Sequence, residues 1–361
     1  MLLLTGIPTP ILRRHPNPQA EMHVIILLGT RIDMISATKQ KTDKVTSWRP
    51  LCAACIFIFG INLGSSQSQA APQNHTQKST TQKINTKEKI KLNSRNRRPI
   101  VRRWFKKVGK RQPDESFGEL MARVAIVKLG RPYLNKPTHT IQEKLQPNVQ
   151  SFECVSLIET SLAMARCIWN SNPNYNCFKS ELQQCRYRNG RIDNYSSRLH
   201  YFTDWLQDNA ARQRLKLLSQ DFGGIPNQRS FHRMTTRVRA YPALKNKVVF
   251  NQIRDTENRL NQTDIFWLPK NRVLPIQKKL NAGDIIGIVT TMRGLLLSHV
   301  GLIIPNQKNG PRLLHASSFH DRVVLTRVSL HDYLQRQPKR EGIVIARPLA
   351  PTSKLTEHYL K

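Results

Sequence analysis

The apolar residues change period once along this chain, and that change most restricts what it can fold into. Leu120, Val124, Ala125, Val127 and Leu129 recur at helical spacing and predict a helix ending at Gly130, with Pro132 beyond it as a stop signal. Val155, Ile158, Leu162 and Ala165 build one apolar face and predict a second helix over about 153–168. Helical patterns follow at 178–187 and 198–209. The character then switches to short β-rich runs at 285–290, 299–304, 312–316, 323–328 and 343–347, separated by Gly, Pro and Asn. Helices first and antiparallel strands afterwards imply an α+β fold.

Charge divides the rest of the chain. The 361 residues carry 58 Lys and Arg against 23 Asp and Glu, a net charge of +35. Residues 1–70 contribute +4 and residues 71–111 contribute +13, leaving +18 for 112–361. In the first part Lys39, Lys41, Lys44 and Arg49 precede an apolar run at 51–63, and Ser68-Gln69-Ala70 supplies the small residues a signal peptidase needs. The run is shorter than the ~20 residues of a membrane span. We therefore expect residues 1–70 to be a leader with a signal peptide, Met34 being a second candidate start. Residues 71–112 read as a basic, disordered linker, in which an amphipathic element around 100–108 has a surface to rest on or none. The folded domain is expected over 113–350, with a helical insertion at about 170–280 and a tail at 351–361. Export would place the protein in the periplasm or at the envelope. The charge excess favours an anionic envelope surface as partner, and no nucleic-acid-recognition motif is present.

Four cysteines lie beyond the leader. Cys154 opens the second helix, where the positive end of the helix dipole favours a thiolate, although a cysteine in such a place is often only structural. His299 and His315 lie on two strands flanking a turn-rich stretch with Asn306, Asn309 and Gly310. A hairpin turn centred near Gln307 sets them directly opposite, on one face of the sheet. Two such histidines are either a satisfied core pair or part of a site. A thiolate, an imidazole base and a polar residue orienting that base are the components of cysteine-dependent acyl transfer.

The segments Gly130-Arg-Pro-Tyr133, Phe152-Glu-Cys-Val-Ser156, Gly283-Asp-Ile-Ile286, Ser298-His-Val-Gly301 and Leu314-His-Ala-Ser-Ser318 resemble, in order, the landmarks of the NlpC-type, papain-like cell-wall peptidase superfamily. The stretches at 185–190 and 195–205, and Met292-Arg-Gly-Leu295, are similar to its N-acetylmuramoyl-L-alanine amidase-like branch. The resemblance spans about 116–348. It implies a papain-like core, with the nucleophile at a helix N-terminus packed on an antiparallel sheet that carries the histidines. It makes Cys154 the nucleophile, His299 the base, His315 the residue that orients His299, and Tyr133 the oxyanion donor beside the Cys154 N–H. Glu153 stands where Asp is commoner and helps to hold substrate. Arg198, His200, Tyr201, Trp205 and Ser317 are candidate substrate contacts, with core packing the alternative for Tyr201 and Trp205. The implied reaction is hydrolysis of the N-acetylmuramoyl-L-alanine bond in peptidoglycan fragments, with anhydromuropeptides as substrates.

Relatives in the superfamily instead cut the γ-D-glutamyl–diamino acid bond. A zinc amidase would cleave the muramoyl bond too, but no HExxH is present and Cys167, Cys177 and Cys185 lack tight ligand pairs, so no metal and no cofactor is expected. Two of those cysteines can form a disulfide, Cys167 with Cys177 closing the easiest loop. A further alternative is a non-catalytic basic protein that binds wall polymer or another polyanion.

Overall fold

Among the described residues eight antiparallel strands form one sheet, seven of them in the order 225–226, 266–269, 340–348, 285–290, 297–304, 312–317 and 322–325, while 215–217 adds to 340–348. The computed structural model describes residues 86–135 and 143–352, with side chains from residue 97, all within one compact unit. The expected signal segment at 51–63 lies outside the described residues, as does most of the expected tail. Among the described residues no helix is long and apolar enough to cross a membrane.

The helices are α1 (Thr86–Val108), α2 (Phe117–Ile126), α3 (Cys154–Trp169), α4 (Tyr175–Arg186), α5 (Phe202–Ala211), α6 (Lys247–Asn261), α7 (Val273–Ile276) and α8 (Leu330–Gln335). The strands are β1 (Leu215–Leu217), β2 (Ile225–Pro226), β3 (Phe266–Pro269), β4 (Ile285–Thr290), β5 (Leu297–Ile304), β6 (Arg312–Ser317), β7 (Arg322–Leu325) and β8 (Arg340–Pro348). The α+β expectation holds, and β4 has the bounds its apolar run predicted. All six of its residues are buried, because it is central and covered on both faces. Ile285 and Val289 enter the larger core with α2 and α3, and Ile286 and Ile288 enter a smaller one with Leu330 and Leu334 of α8.

Three expectations need correction. The linker expected at 71–112 contains α1, whose Ile100, Val101, Trp104, Phe105 and Val108 are buried in the main core. Arg102, Arg103, Lys106 and Lys107 occupy the exposed side. The stripe was masked by a polar composition, since five apolar side chains at steps of one, three and four are enough to dock a helix on an existing core. Trp104 meets Phe152 at 5.9 Å between ring centroids. Second, the insertion at 170–280 is not purely helical. It supplies β1, β2 and β3, which extend the sheet beyond β8; runs of two to four residues leave little periodicity to read. Third, the β5–β6 hairpin pairs Leu302 with Leu314 and Ile304 with Arg312, so its turn centres on Lys308 and the register differs by two residues from that expected.

Close approach fixes one glycine. Gly283 has φ +76°, and a Cβ there would lie 2.1 Å from the Gly118 carbonyl oxygen, so the turn into β4 can abut α2 only without a side chain. The neighbouring Asp284 carboxylate receives both Nε and a terminal amine of Arg347 at 2.8 Å, tying the start of β4 to β8.

Cys167 and Cys177 are joined by a disulfide, with Cα atoms 5.9 Å apart, which pins the end of α3 to α4. The fourth thiol, Cys185, is buried, donates to the Leu182 carbonyl at 3.4 Å, and has its pKa pushed up to about 12 by burial and then by Glu159. It is a packed, inert side chain.

Candidate active site

Cys154 begins α3, and its neighbour Glu153 is the N-cap. The two Glu153 carboxylate oxygens accept from the N–H groups of Val155 at 2.8 Å and Ser156 at 2.7 Å, and the Ser156 hydroxyl returns a bond to the Glu153 backbone. This is a capping box with acid and hydroxyl exchanged. Glu153, expected to hold substrate, therefore has its carboxylate committed to the helix end. The capping pattern was readable in Glu153-Cys-Val-Ser156 as an acid three residues before a hydroxyl.

The β5–β6 ladder pairs only 302–304 with 312–314. Beyond it the strands diverge, β5 staying on β4 and β6 on β7. That divergence frees β5 backbone, and the Val300 backbone is hydrogen-bonded to the Cys154 sulfur. The thiol is thus held at the residue next to His299. Its pKa is nevertheless raised, by burial first and by the Glu153 carboxylate second, while the bonds from Val300 and Val155 pull the other way. The thiolate character expected from the helix dipole is outweighed, and the resting sulfur is a protonated thiol.

His299 and His315 touch despite the shifted register. A slip of two residues keeps both side chains on one face, and the diagonal neighbour is still within reach of an imidazole. Nε2 of His299 lies 2.7 Å from Nδ1 of His315, with the rings edge-on at 4.8 Å. Leu314 and Ala316 face α3, whereas Leu313 and His315 face the side covered by α8, whose Tyr333 ring lies 5.4 Å from His315. Burial, with the Arg340 charge adding to it, lowers His299 to about 4. Burial, then His299, Arg340 and His320, lower His315 to about 3. Both imidazoles are neutral at neutral pH. With the shared proton on Nε2 of His299, its Nδ1 keeps a lone pair and can accept a proton.

Tyr133 bridges to Phe152 in the segment before α3, and its N–H bonds the Asp321 carbonyl at 2.8 Å. Its phenol pKa is raised by burial, then by Cys154 and Glu153, so it stays a neutral donor close to the thiol. Tyr333 and Arg340 were not anticipated. Arg340 stacks on the Tyr333 ring at 3.7 Å and its charge bears on both histidines. The Leu330 and Leu334 spacing could have located α8, but no sequence signal brings α8 to His315.

A cleft of about 620 Å³ runs beside Cys154, lined by its neighbours Glu153 and Val155 and by Tyr133, Arg198, His200 and Tyr201. That volume suits a ligand of small-molecule size. Arg198 lies 3.9 Å from Glu143. His200 places Nε2 2.8 Å from the Tyr195 carbonyl and stacks on the Tyr195 ring at 4.2 Å. The Tyr201 hydroxyl donates to buried Glu257 at 2.5 Å. Trp205 and Ser317 do not line the cleft. Trp205 is fully buried and stacks on Phe202 at 4.9 Å, so the core reading holds for it. Ser317 is buried, with Oγ 3.0 Å from His320 Nδ1.

The profile of a family described as N-acetylmuramoyl-L-alanine amidase-like matches residues 123–343. The chain belongs to that family. As an amidase-like protein it resembles a solved N-acetylmuramoyl-L-alanine amidase from Bacteroides uniformis at 29% identity, with a TM-score of 0.60 over 64% of this chain and 99% of that one. A Bacteroides fragilis structure provisionally named a xylanase matches at 30% identity and TM-score 0.58, over 62% of this chain and 98% of that one. A Legionella pneumophila protein, 17% identical with a TM-score of 0.54 over 74% of this chain and 99% of that one, shares the fold of this amidase-like chain. No curated protein matches it.

Proposed function

We propose that the protein is an NlpC-type, papain-like cysteine amidase that hydrolyses the bond between N-acetylmuramic acid and L-alanine in anhydromuropeptides. The observation that carries the reading is the set of groups at the start of α3: a thiol bonded by the Val300 backbone, His299 next to Val300 in the chain, and His315 with its Nδ1 2.7 Å from His299 Nε2. Membership of the N-acetylmuramoyl-L-alanine amidase-like family supports this choice of bond.

In this mechanism Nδ1 of His299 takes the Cys154 proton as sulfur attacks the lactyl carbonyl carbon. The C=O electron pair moves onto oxygen, which meets the Tyr133 hydroxyl and the Cys154 N–H. A preorganised donor at such a place is worth ~3 kcal/mol. Collapse re-forms the carbonyl and breaks the C–N bond, the L-alanine nitrogen taking the proton from His299. Water, deprotonated by His299, then cleaves the muramoyl thioester and returns the thiol. His315 holds the working tautomer throughout.

Export to an oxidising compartment fits the Cys167–Cys177 bridge and the apolar run at 51–63. The exposed Arg102, Arg103, Lys106 and Lys107 of α1 form a face suited to an anionic envelope surface. The test of the cleaved bond is mass analysis of the products from a purified anhydromuropeptide. Free anhydro-sugar plus intact peptide beginning with L-alanine is expected. A product cut after D-glutamate would make the protein an endopeptidase, and no product would leave it a binding protein.

A further inference from the structure

Arg233 lines the cleft, is half-buried, and among the described residues has no side-chain hydrogen bond or ion pair. The cleft's other inner arginines differ, since Arg186 bonds Glu159 at 2.8 Å and Arg198 faces Glu143. Arg97 of α1 also lines the cleft without an ion pair to any described residue, but it lacks the mounting that Arg233 has.

That mounting is built from two sides. Glu257 of α6, only 2% exposed, accepts from the N–H of Met234 at 3.0 Å and of Thr235 at 3.2 Å, and Tyr201 completes the cluster. On the other side the Gly294 carbonyl accepts from the N–H of His232 at 3.3 Å and of Arg233 at 3.2 Å. Gly294 has φ +81°, and a Cβ there would come within 3.0 Å of the Arg233 nitrogen. The Met292-Arg-Gly-Leu295 motif thus has a physical task, which is to support the backbone that carries Arg233. A buried carboxylate spent on fixing one loop, whose guanidinium then meets no acid among the described residues, is the arrangement expected of a ligand contact.

We propose that Arg233 is the carboxylate-binding residue of the cleft and sets a preference for muropeptides whose stem peptide carries a free carboxylate, such as the α-carboxylate that a γ-linked glutamyl residue leaves unblocked. The proposal rests on the reading of the cleft as a muropeptide site. A guanidinium fork fits a carboxylate by two parallel N–H···O bonds, whereas a carboxamide presents one acceptor and two unmatched donors.

The test is calorimetric titration of full-length Cys154→Ala with two anhydromuramoyl L-Ala-D-Glu dipeptides whose γ-carboxyl is blocked as an N-methylamide, one with the α-carboxylate free and the other with it amidated. The free acid should bind about tenfold or more tightly than the amide. Adding Arg233→Gln should erase that ratio, and Arg233→Lys should keep part of it. Equal binding of acid and amide by the Arg233-containing protein overturns the proposal whatever the variants do, as does an unchanged ratio in a folded Arg233→Gln. Wild-type product analysis separates the two readings. An acid preference that depends on Arg233 without hydrolysis sinks the amidase reading and leaves the carboxylate site standing. Hydrolysis without that preference does the reverse.

Discussion

Nε2 of His299 lies 2.7 Å from Nδ1 of His315, and the two rings are nearly perpendicular at 89°. In the proposed mechanism the pair fixes which nitrogen of His299 is left to take the proton. Removing the acceptor frees the ring to rotate and to take the wrong tautomer. His315→Ala should lower kcat by about a hundredfold or more, the range of general acid–base effects, with a much smaller change in KM. His315→Asn, whose amide oxygen can accept the Nε2 proton, should recover part of the loss. A loss confined to KM would show that His315 acts on binding instead.

In the proposed mechanism the acid limb of activity follows from His299. Burial, then Arg340, lowers its pKa from 6.5 to about 4, so the neutral base form persists as pH falls until about pH 4. The free enzyme's kcat/KM should therefore stay level from neutrality to about pH 5 and drop only near pH 4. An acid limb centred near 6.5 would mean that the imidazole is more hydrated than its packing implies.

Lys128 is fully buried, its ammonium donating to the Val124 carbonyl at 3.1 Å and the Ser161 hydroxyl at 3.2 Å. Burial lowers its pKa from 10.5 to about 7. Between those two values the unfolded chain holds a proton that the folded chain has shed, so stability should rise as pH climbs from about 7 to 10.5. Lys128→Met should raise stability at pH 7 by a few kcal/mol at most and flatten that rise, since one pKa unit corresponds to about 1.4 kcal/mol. Thermal melts at pH 7 and pH 10 check it, and a melting temperature that falls in the variant would contradict it.

Trp104 connects α1 to the main core. Trp104→Ala should cost about 3 to 5 kcal/mol, the range for truncating a buried aromatic. Deleting residues 1–85 should leave a folded domain, whereas deletion through 112 removes the whole stripe and should expose core. Melting temperature and dye binding to exposed apolar surface distinguish the two.

The particular elements show what was legible from sequence. A buried run such as β4 or an amphipathic face such as that of α3 announces itself, because burial imposes residue type over several positions. The meeting of His299 with His315 followed from parity, which survives a slip of two. The slip itself could not be seen, since Gln307 and Lys308 are equally good turn centres among Asn306, Asn309 and Gly310. α1 was hidden because its charged side chains outnumber the five that dock it. Tyr333 and Arg340 approach the histidines from distant strands and helices, so no local pattern points to them. The thiol's pKa could not be read from its helix position alone, because burial and the Glu153 carboxylate act against the dipole.

The central claim is that the amide is cleaved by Cys154. Wild-type protein and Cys154→Ala should be compared on the same purified anhydromuropeptide, with hydrolysis followed by mass and binding by calorimetry. The wild type should release peptide and Cys154→Ala should bind without turnover, in the presence or absence of a chelator. Undiminished peptide release by Cys154→Ala would contradict that claim.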